Sequence, residues 1–449
     1  MPRHGLFAGG PGLSGRMICG GVAATAPRVT GVPEQKPGCG ERHGSGSLEE
    51  VKILFASAPG HGLALPLIPV VWAARAAGHE VLLATTAEIA EVTARAGLPV
   101  ADVFPGRDLW TDLLATVKNG SAPDAGEPEE YRIARQHRGP FGLFTAAMTA
   151  GTIEAGRAFG ADLVVYPSDH GAGALAAVAL GAPALEVGNR ISWSARDLSW
   201  RTEHDDFLSG ELVALMREKL GLGDAPPKVI ARIDPRAPSM GGLRADEEHA
   251  DERDGAPWWP MRFVPYNGGA VLPEWALRKP ERPRVAVTLG TVVPAMTGVS
   301  SLKVVLDALG GMDVEVVLAA GTADVSELGE LPGNVRSVGY LPLSVFLPGC
   351  SAIVHHGGSG TTAAPLFYGV PQVVLPSFAD NPMSAERVVD RGVGVSHDPA
   401  AVDVSTVRKL VSQVLEDESF RLAAAEVRAE MSGQPSPADV IARAVAALR

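Results

Sequence analysis

From position 51 onward the chain alternates between short runs of apolar residues and longer segments with apolar positions three or four residues apart. The first run is Val51-Lys52-Ile53-Leu54-Phe55-Ala56. The turn Gly60-His61-Gly62 follows, then an apolar stretch over 63–77 stopped by Gly78. Short runs bounded by glycine turns predict buried strands, and the longer periodic segments predict helices. The unit recurs at Glu80-Val81-Leu82-Leu83-Ala84-Thr85 with a helix over 87–96, and again at 99–104. It returns at Asp162-Leu163-Val164-Val165-Tyr166 with a helix ending at Leu180, and at Pro183-Ala184-Leu185-Glu186-Val187. A second series starts with Arg284-Val285-Ala286-Val287-Thr288-Leu289-Gly290 and continues with strands at 314–318, 335–338, 352–355 and 372–375. Near the end, Val407, Leu410, Val411, Val414 and Leu415 share one helical face. A last helix follows the N-cap and N1 pair Ser436-Pro437, with Val440, Ile441, Ala444, Val445 and Leu448 on one side. Apolar strands alternating with helices are what a parallel sheet covered on both faces requires. The expected fold is therefore α/β, with two doubly wound Rossmann-like domains facing across a cleft and ligands at the carboxyl ends of strands.

Turn chemistry at Pro265-Tyr266-Asn267-Gly268-Gly269 and over 280–283 marks an interdomain linker at 265–283, between an N-terminal domain at 51–264 and a C-terminal domain at 284–449. A length of 449 residues suits two cores. Residues 1–50 are rich in Gly, Pro, Arg and Ser without a sustained apolar period, and are expected to be a disordered extension. The abrupt first strand raises the further expectation that translation begins near Val51. The segments 119–130 and 244–254 are expected to be solvated surface loops. A net charge of −12 with no cluster of Lys and Arg argues against binding nucleic-acid backbone. No apolar run reaches the roughly 18 to 20 residues of a membrane span. Cys19, Cys39 and Cys350 have neither a disulfide framework nor zinc-site spacing, which points to a reducing, cytoplasmic home.

The strongest candidate chemistry lies where Ile353-Val354-His355 leaves a strand and enters Gly357-Gly358-Ser359-Gly360 ahead of a helix. Glycines let backbone approach a ligand closely, and the start of a helix presents unpaired N–H groups at a positive dipole end. This is an anion site in the making, to which Ser359, Thr361 and Thr362 add hydroxyls and His355 a ring donor. Tight packing of strand on helix explains the same glycines equally well. No lysine follows in the manner of a P-loop, and no Gly-x-Gly-x-x-Gly follows Val51. Further on, Leu375-Pro376-Ser377-Phe378-Ala379-Asp380-Asn381-Pro382 ends a strand and starts a helix. Asp380 and Asn381 either hold ligand hydroxyls there or cap the helix.

In this order, His355-His356-Gly357-Gly358-Ser359-Gly360-Thr361-Thr362, Gly369-Val370-Pro371, Leu375-Pro376 and Asp380-Asn381 resemble the donor-binding region of GT-B glycosyltransferases. The chain more narrowly resembles the bacterial natural-product branch, which moves deoxysugars from dTDP-sugars onto macrolide, polyketide or other antibiotic aglycones. Ala76-Ala77-Gly78-His79, Val264-Pro265-Tyr266-Asn267-Gly268, Val287-Thr288-Leu289-Gly290-Thr291 and Gly392-Val393-Gly394-Val395 also match, so the likeness spans 51–449. It implies that His355, Gly358, Ser359, Gly360 and Thr361 hold the donor pyrophosphate, with Thr291 near the phosphates. Asp380 and Asn381 take the place of an Asp-Gln pair on the sugar hydroxyls, Asn being one methylene shorter. Tyr340-Leu341-Pro342 lie where the nucleobase is held, through backbone groups.

The resemblance implies no cofactor beyond the nucleotide sugar, and no Asp-x-Asp metal signature occurs near the site. It admits an activator protein and a homodimer as partners. The family's base sits in a Gly-His-x-x-Pro turn. Here His61 lies five residues before Pro66, and aligning on Pro66-Leu67 puts Leu63 at the histidine position. His61 and Asp169 are the candidate catalytic residues, with His170 beside them; a capping or packing role is the alternative for each. Trp193, Trp200, Phe207 and Leu208, with Phe141 and Phe144, either line an apolar aglycone pocket or fill the core. The expected function is an inverting glycosyltransferase moving a deoxysugar to a hydrophobic aglycone in antibiotic biosynthesis. The alternatives are a sugar-nucleotide epimerase of the same fold and a noncatalytic sugar-nucleotide-binding helper.

Overall fold

Strands buried along their whole length must be covered on both faces, and the central strands of the two sheets, Leu163–Pro167 and Ala184–Val187 in one and Arg284–Thr288 and Ala352–His355 in the other, are buried at every position. A computed structural model describes residues 50–111, 126–136, 141–197, 210–297, 299–321 and 323–449. The extension 1–49, most of the loop at 119–130, and Trp200, Phe207 and Leu208 lie outside the described residues. The first sheet comprises β1 (Lys52–Ala56), β2 (Glu80–Thr85), β3 (Val100–Asp102), β4 (Leu163–Pro167), β5 (Ala184–Val187), β6 (Val229–Asp234), β7 (His249–Ala250) and β8 (Pro257–Pro260). Their order is β3-β2-β1-β4-β5-β6-β8-β7, parallel except for β7 against β8. The second comprises β9 (Arg284–Thr288), β10 (Glu315–Leu318), β11 (Val335–Ser337), β12 (Ala352–His355), β13 (Gln372–Val374) and β14 (Gly394–Ser396). It is wholly parallel, in the order β11-β10-β9-β12-β13-β14.

Both sheets reverse strand order beside their first strand, between β1 and β4 and between β9 and β12. Such switch points open a crevice at the carboxyl ends of the strands. The loops entering that crevice carry Gly60-His61 after β1, Gly290-Thr291 after β9 and Gly357-Gly358 after β12. Two Rossmann-like sheets of this kind are the GT-B architecture.

Four strands were not expected from the sequence, and each departs from a continuous apolar run. β6 carries Arg232 and Asp234, β8 is Pro-Trp-Trp-Pro, and β7 and β14 have two and three residues. A buried arginine within a strand is tolerated only when paired. Arg232 donates to Glu186 at 3.0 Å and to Asp254 at 2.8 Å. The run 244–254, expected to be a solvated loop, supplies part of this network: Asp251 is buried and accepts from the indole of Trp258 at 2.9 Å.

The stretch 63–77 is not one helix. It divides into a helical turn at His61–Ala64, a 3₁₀ turn at Leu65–Leu67 and a helix at Ile68–Ala76, with Pro66 and Pro69 at the N-terminal positions of the latter two. The last helix, Pro437–Ala446, starts with the capping box formed by Ser436 and Asp439. Its apolar face (Val440, Ile441, Ala444 and Val445) lies in the core cluster of the first sheet with Ile68, Val71, Val81 and Leu163. The chain therefore returns to its first lobe after completing the second. Among the described residues, no helix is long and apolar enough to cross a membrane.

Candidate active site

A cavity of about 960 Å³ runs between the lobes, lined from the first by Gly60, His61, Leu63, Arg190 and Trp193 and from the second by Thr291, Leu341, Gly358, Ser359 and Asp380, among others. Most of the residues expected at the donor site thus face one space: Thr291, Leu341, Gly358, Ser359, Gly360, Thr361, Asp380 and Asn381 all line it. The helix Ser359–Tyr368 begins there, with N-cap Gly358 and no side chain capping it. Its first N–H groups and positive dipole end are therefore left for a ligand. Thr362 is not an available hydroxyl, because it is buried and donates to the Gly358 carbonyl at 3.0 Å.

His355 does not line the cavity. The Gly357 N–H donates to its Nδ1 at 3.1 Å, and its Nε2 pairs with Gln372 Oε1 at 2.7 Å. A ring whose Nδ1 accepts carries its proton on Nε2, so both nitrogens are committed inside the protein. Gln372 also donates to the Thr362 carbonyl at 3.2 Å, so His355 and Gln372 together stitch the glycine turn to β12 and β13. Burial holds His355 down at about 3, aided by neighbouring His356 and opposed by the Gln372 bond.

Of this pair, the histidine that reaches the cavity is His356, whose buried Nδ1 has no hydrogen-bond partner among the described residues. Burial lowers it to about 4, against the Asp380 charge and a backbone bond at Thr288. Its ring fits only because two neighbours lack side chains. A Cβ on Gly290 would stand 2.5 Å from Cε1, and one on Gly358 would stand 2.4 Å from Nε2. Sequence reasoning missed His356; the doubled histidine was the available signal.

On the opposite wall, His61 opens the first helical turn and faces the cavity, two positions before Leu63, which also lines it. Burial pulls His61 below its ordinary value of 6.5, while Glu88 pushes the other way. Its imidazole is therefore neutral at pH 7, the form a base needs. Asp169, expected beside the base, does not line the cavity. Its buried carboxylate accepts from Arg190 Nη2 at 2.9 Å and Nε at 3.2 Å, and from Asn189 at 3.4 Å. His170 is likewise buried away from the cavity, and neither ring nitrogen has a partner among the described residues.

Arg190 is the other residue that sequence reasoning missed. It enters the cavity after β5, and its Nη1 donates to Asp380 in the opposite lobe at 3.1 Å. Ser192 donates to the same Asp380 oxygen at 2.6 Å, and the Ile191 N–H donates to Ser359 Oγ at 2.8 Å. Of the aromatic candidates, Trp193 and Phe141 line the cavity and Phe144 is core.

Comparison with known proteins agrees with this fold and places the chain in a family. The family described as erythromycin biosynthesis protein CIII-like matches through its N-terminal domain at residues 72–290 and its C-terminal domain at residues 303–447. The chain is 36% identical to elloramycin glycosyltransferase ElmGT of Streptomyces olivaceus, over 88% of this chain and 96% of that protein. The crystal structure of the glycosyltransferase SnogD from Streptomyces nogalater superposes with a TM-score of 0.72 at 32% identity, covering 89% of this chain and 100% of the other. The glycosyltransferase SsfS6 of Streptomyces sp. SF2575, solved with thymidine diphosphate, gives 0.69 at 30% identity, covering 88% and 99%. The chain belongs to the erythromycin biosynthesis protein CIII-like family and is a GT-B glycosyltransferase related to the bacterial natural-product enzymes that use dTDP-deoxysugars.

Proposed function

We propose that the chain is an inverting transferase that moves a deoxysugar from a dTDP-sugar to a hydroxyl of a hydrophobic natural-product aglycone in antibiotic biosynthesis. The observation that carries this reading is a cavity in which an uncapped helix start faces a neutral histidine of the other lobe. Gly358, Ser359, Gly360 and Thr361 hold the diphosphate with Thr291, and His356 takes the part expected of His355. Asp380 and Asn381 meet the sugar hydroxyls, and the backbone at Leu341 meets the base. The acceptor lies against Leu63, Phe141 and Trp193, whose apolar faces favour a hydrophobic aglycone.

In the transfer the acceptor oxygen attacks the anomeric carbon while its proton passes to His61. The bond from that carbon to the diphosphate oxygen breaks, and its electron pair leaves on the nucleoside diphosphate. Developing charge on that oxygen meets the first N–H groups of the helix Ser359–Tyr368 and its dipole. A homodimer, an activator protein and a cytoplasmic home go with this reading; solution mass and activity with the added protein check the first two.

The test is a matrix of dTDP- and UDP-sugars against polyketide aglycones with mass detection. The expected product is aglycone plus one deoxysugar, formed with dTDP donors. An isomerised donor with untouched aglycone would make the chain an epimerase, and nucleotide binding without any product would make it a helper; either result rejects the proposal.

A further inference from the structure

Asp380 is the N-cap residue of the helix Asn381–Asp390, yet its carboxylate does not cap that helix. It turns across the cleft, where Oδ2 accepts from Arg190 Nη1 at 3.1 Å and Ser192 Oγ at 2.6 Å. Both donors converge on one oxygen, and Oδ1 takes no hydrogen bond among the described residues. The residue before it, Ala379, is held at φ +56°, a left-handed conformation costly for a residue with a Cβ. The loop therefore presents Asp380 in one direction at the expense of local strain.

Arg190 is held as firmly. Its Nη2 and Nε are bound to Asp169 at 2.9 and 3.2 Å, and its guanidinium stands 5.5 Å from the Trp193 ring and 5.8 Å from that of Phe141. A planar guanidinium with donors on several edges can join two carboxylates rigidly, which an ammonium on a flexible stem does less well. A carboxylate fixed in this way binds a hydroxyl without losing rotamer freedom at that moment.

We propose that Arg190, supplied by the first lobe, is the positioning residue for Asp380: it spans Asp169 and Asp380 and aims the free Oδ1 at the sugar of the donor. This rests on the donor-site reading above. It makes the sugar subsite a joint product of both lobes, and it gives Asp169 the task of anchoring Arg190.

Calorimetric titration of dTDP and of dTDP-glucose separates sugar contacts from nucleotide contacts. In R190Q, affinity for dTDP-glucose is expected to fall by about tenfold, with dTDP affinity within about twofold of wild type. R190K, which keeps the charge but not the fork, is expected to fall between the two and to unfold near the wild-type temperature, showing that the fold survives. In a D380N background, R190Q is expected to add no more than about a twofold loss, because the two residues act through one contact. Unchanged dTDP-glucose binding in R190Q, or an equal loss for dTDP, would overturn the assignment while leaving the donor site standing. So would a full second loss on top of D380N. Wild-type protein that binds neither ligand would overturn the donor-site reading and the role of Arg190 with it.

Discussion

His61 and His356 face one cavity but are suited to different tasks by their surroundings. His61 is partly exposed on a turn, and burial lowers its pKa against the pull of Glu88. His356 is buried with an orphaned Nδ1 and is neutral well into acid. Replacing His61 by Ala is expected to cut turnover by roughly two to four orders of magnitude, since a general base contributes about that much; unchanged turnover would remove it from the mechanism. The active form is the neutral ring, so kcat/KM is expected to fall only as acid protonates it, with a midpoint below the ordinary 6.5. Removing the charge of Glu88 takes away a term that favours the protonated form, so E88Q moves that midpoint further towards acid. A pH–rate series on wild type and E88Q reads both. At this scale the sequence showed the residue types but not their directions. Successive residues at a strand end point to opposite sides, so His355 turns into the protein while His356 turns to the cavity. Arg190 could not be recognised as a site residue because its partner Asp380 is 190 positions away.

On the proposed reading, the phosphate chemistry falls to one place: the start of the helix Ser359–Tyr368 and the two glycine turns that meet there. The turn was legible because its order of strand, glycines, hydroxyls and helix has a direct physical reason, whereas the split of 63–77 was hidden by an apolar pattern that runs through both prolines. Gly290 and Gly357, at φ +67° and +89°, need the left-handed backbone that glycine allows, whereas Gly358 serves space. Gly358 has an ordinary φ of −57°, so Ala could adopt its backbone, yet the added Cβ would stand 2.4 Å from His356 Nε2. Gly358→Ala is therefore expected to displace the His356 ring and weaken dTDP binding by about tenfold, with a loss of stability of about 1–3 kcal/mol from overpacking. Titration calorimetry and thermal unfolding check the two effects separately. Binding at wild-type strength in the folded variant would mean that the ring does not contribute to holding the diphosphate.

For the whole molecule, the sequence indicated two α/β lobes and a boundary but not the return of the last helix, because an amphipathic face does not reveal which core it will join. Ile441 is fully buried among first-lobe residues although it follows the entire second sheet in the chain. That packing closes the chain around both lobes, so loosening the terminal helix acts on the core beneath β1, the strand that leads into the His61 turn. Truncating Ile441 to Ala removes buried methylenes and leaves a cavity, a change that costs about 2–5 kcal/mol. Amide exchange can show where the cost falls. Protection is expected to drop in β1, β4 and the helix Ile68–Ala76, which share this core, while β9 and β12 keep theirs. Loss confined to the second sheet would show that the terminal helix is stabilised by that lobe and that the packing of Ile441 on the first contributes little.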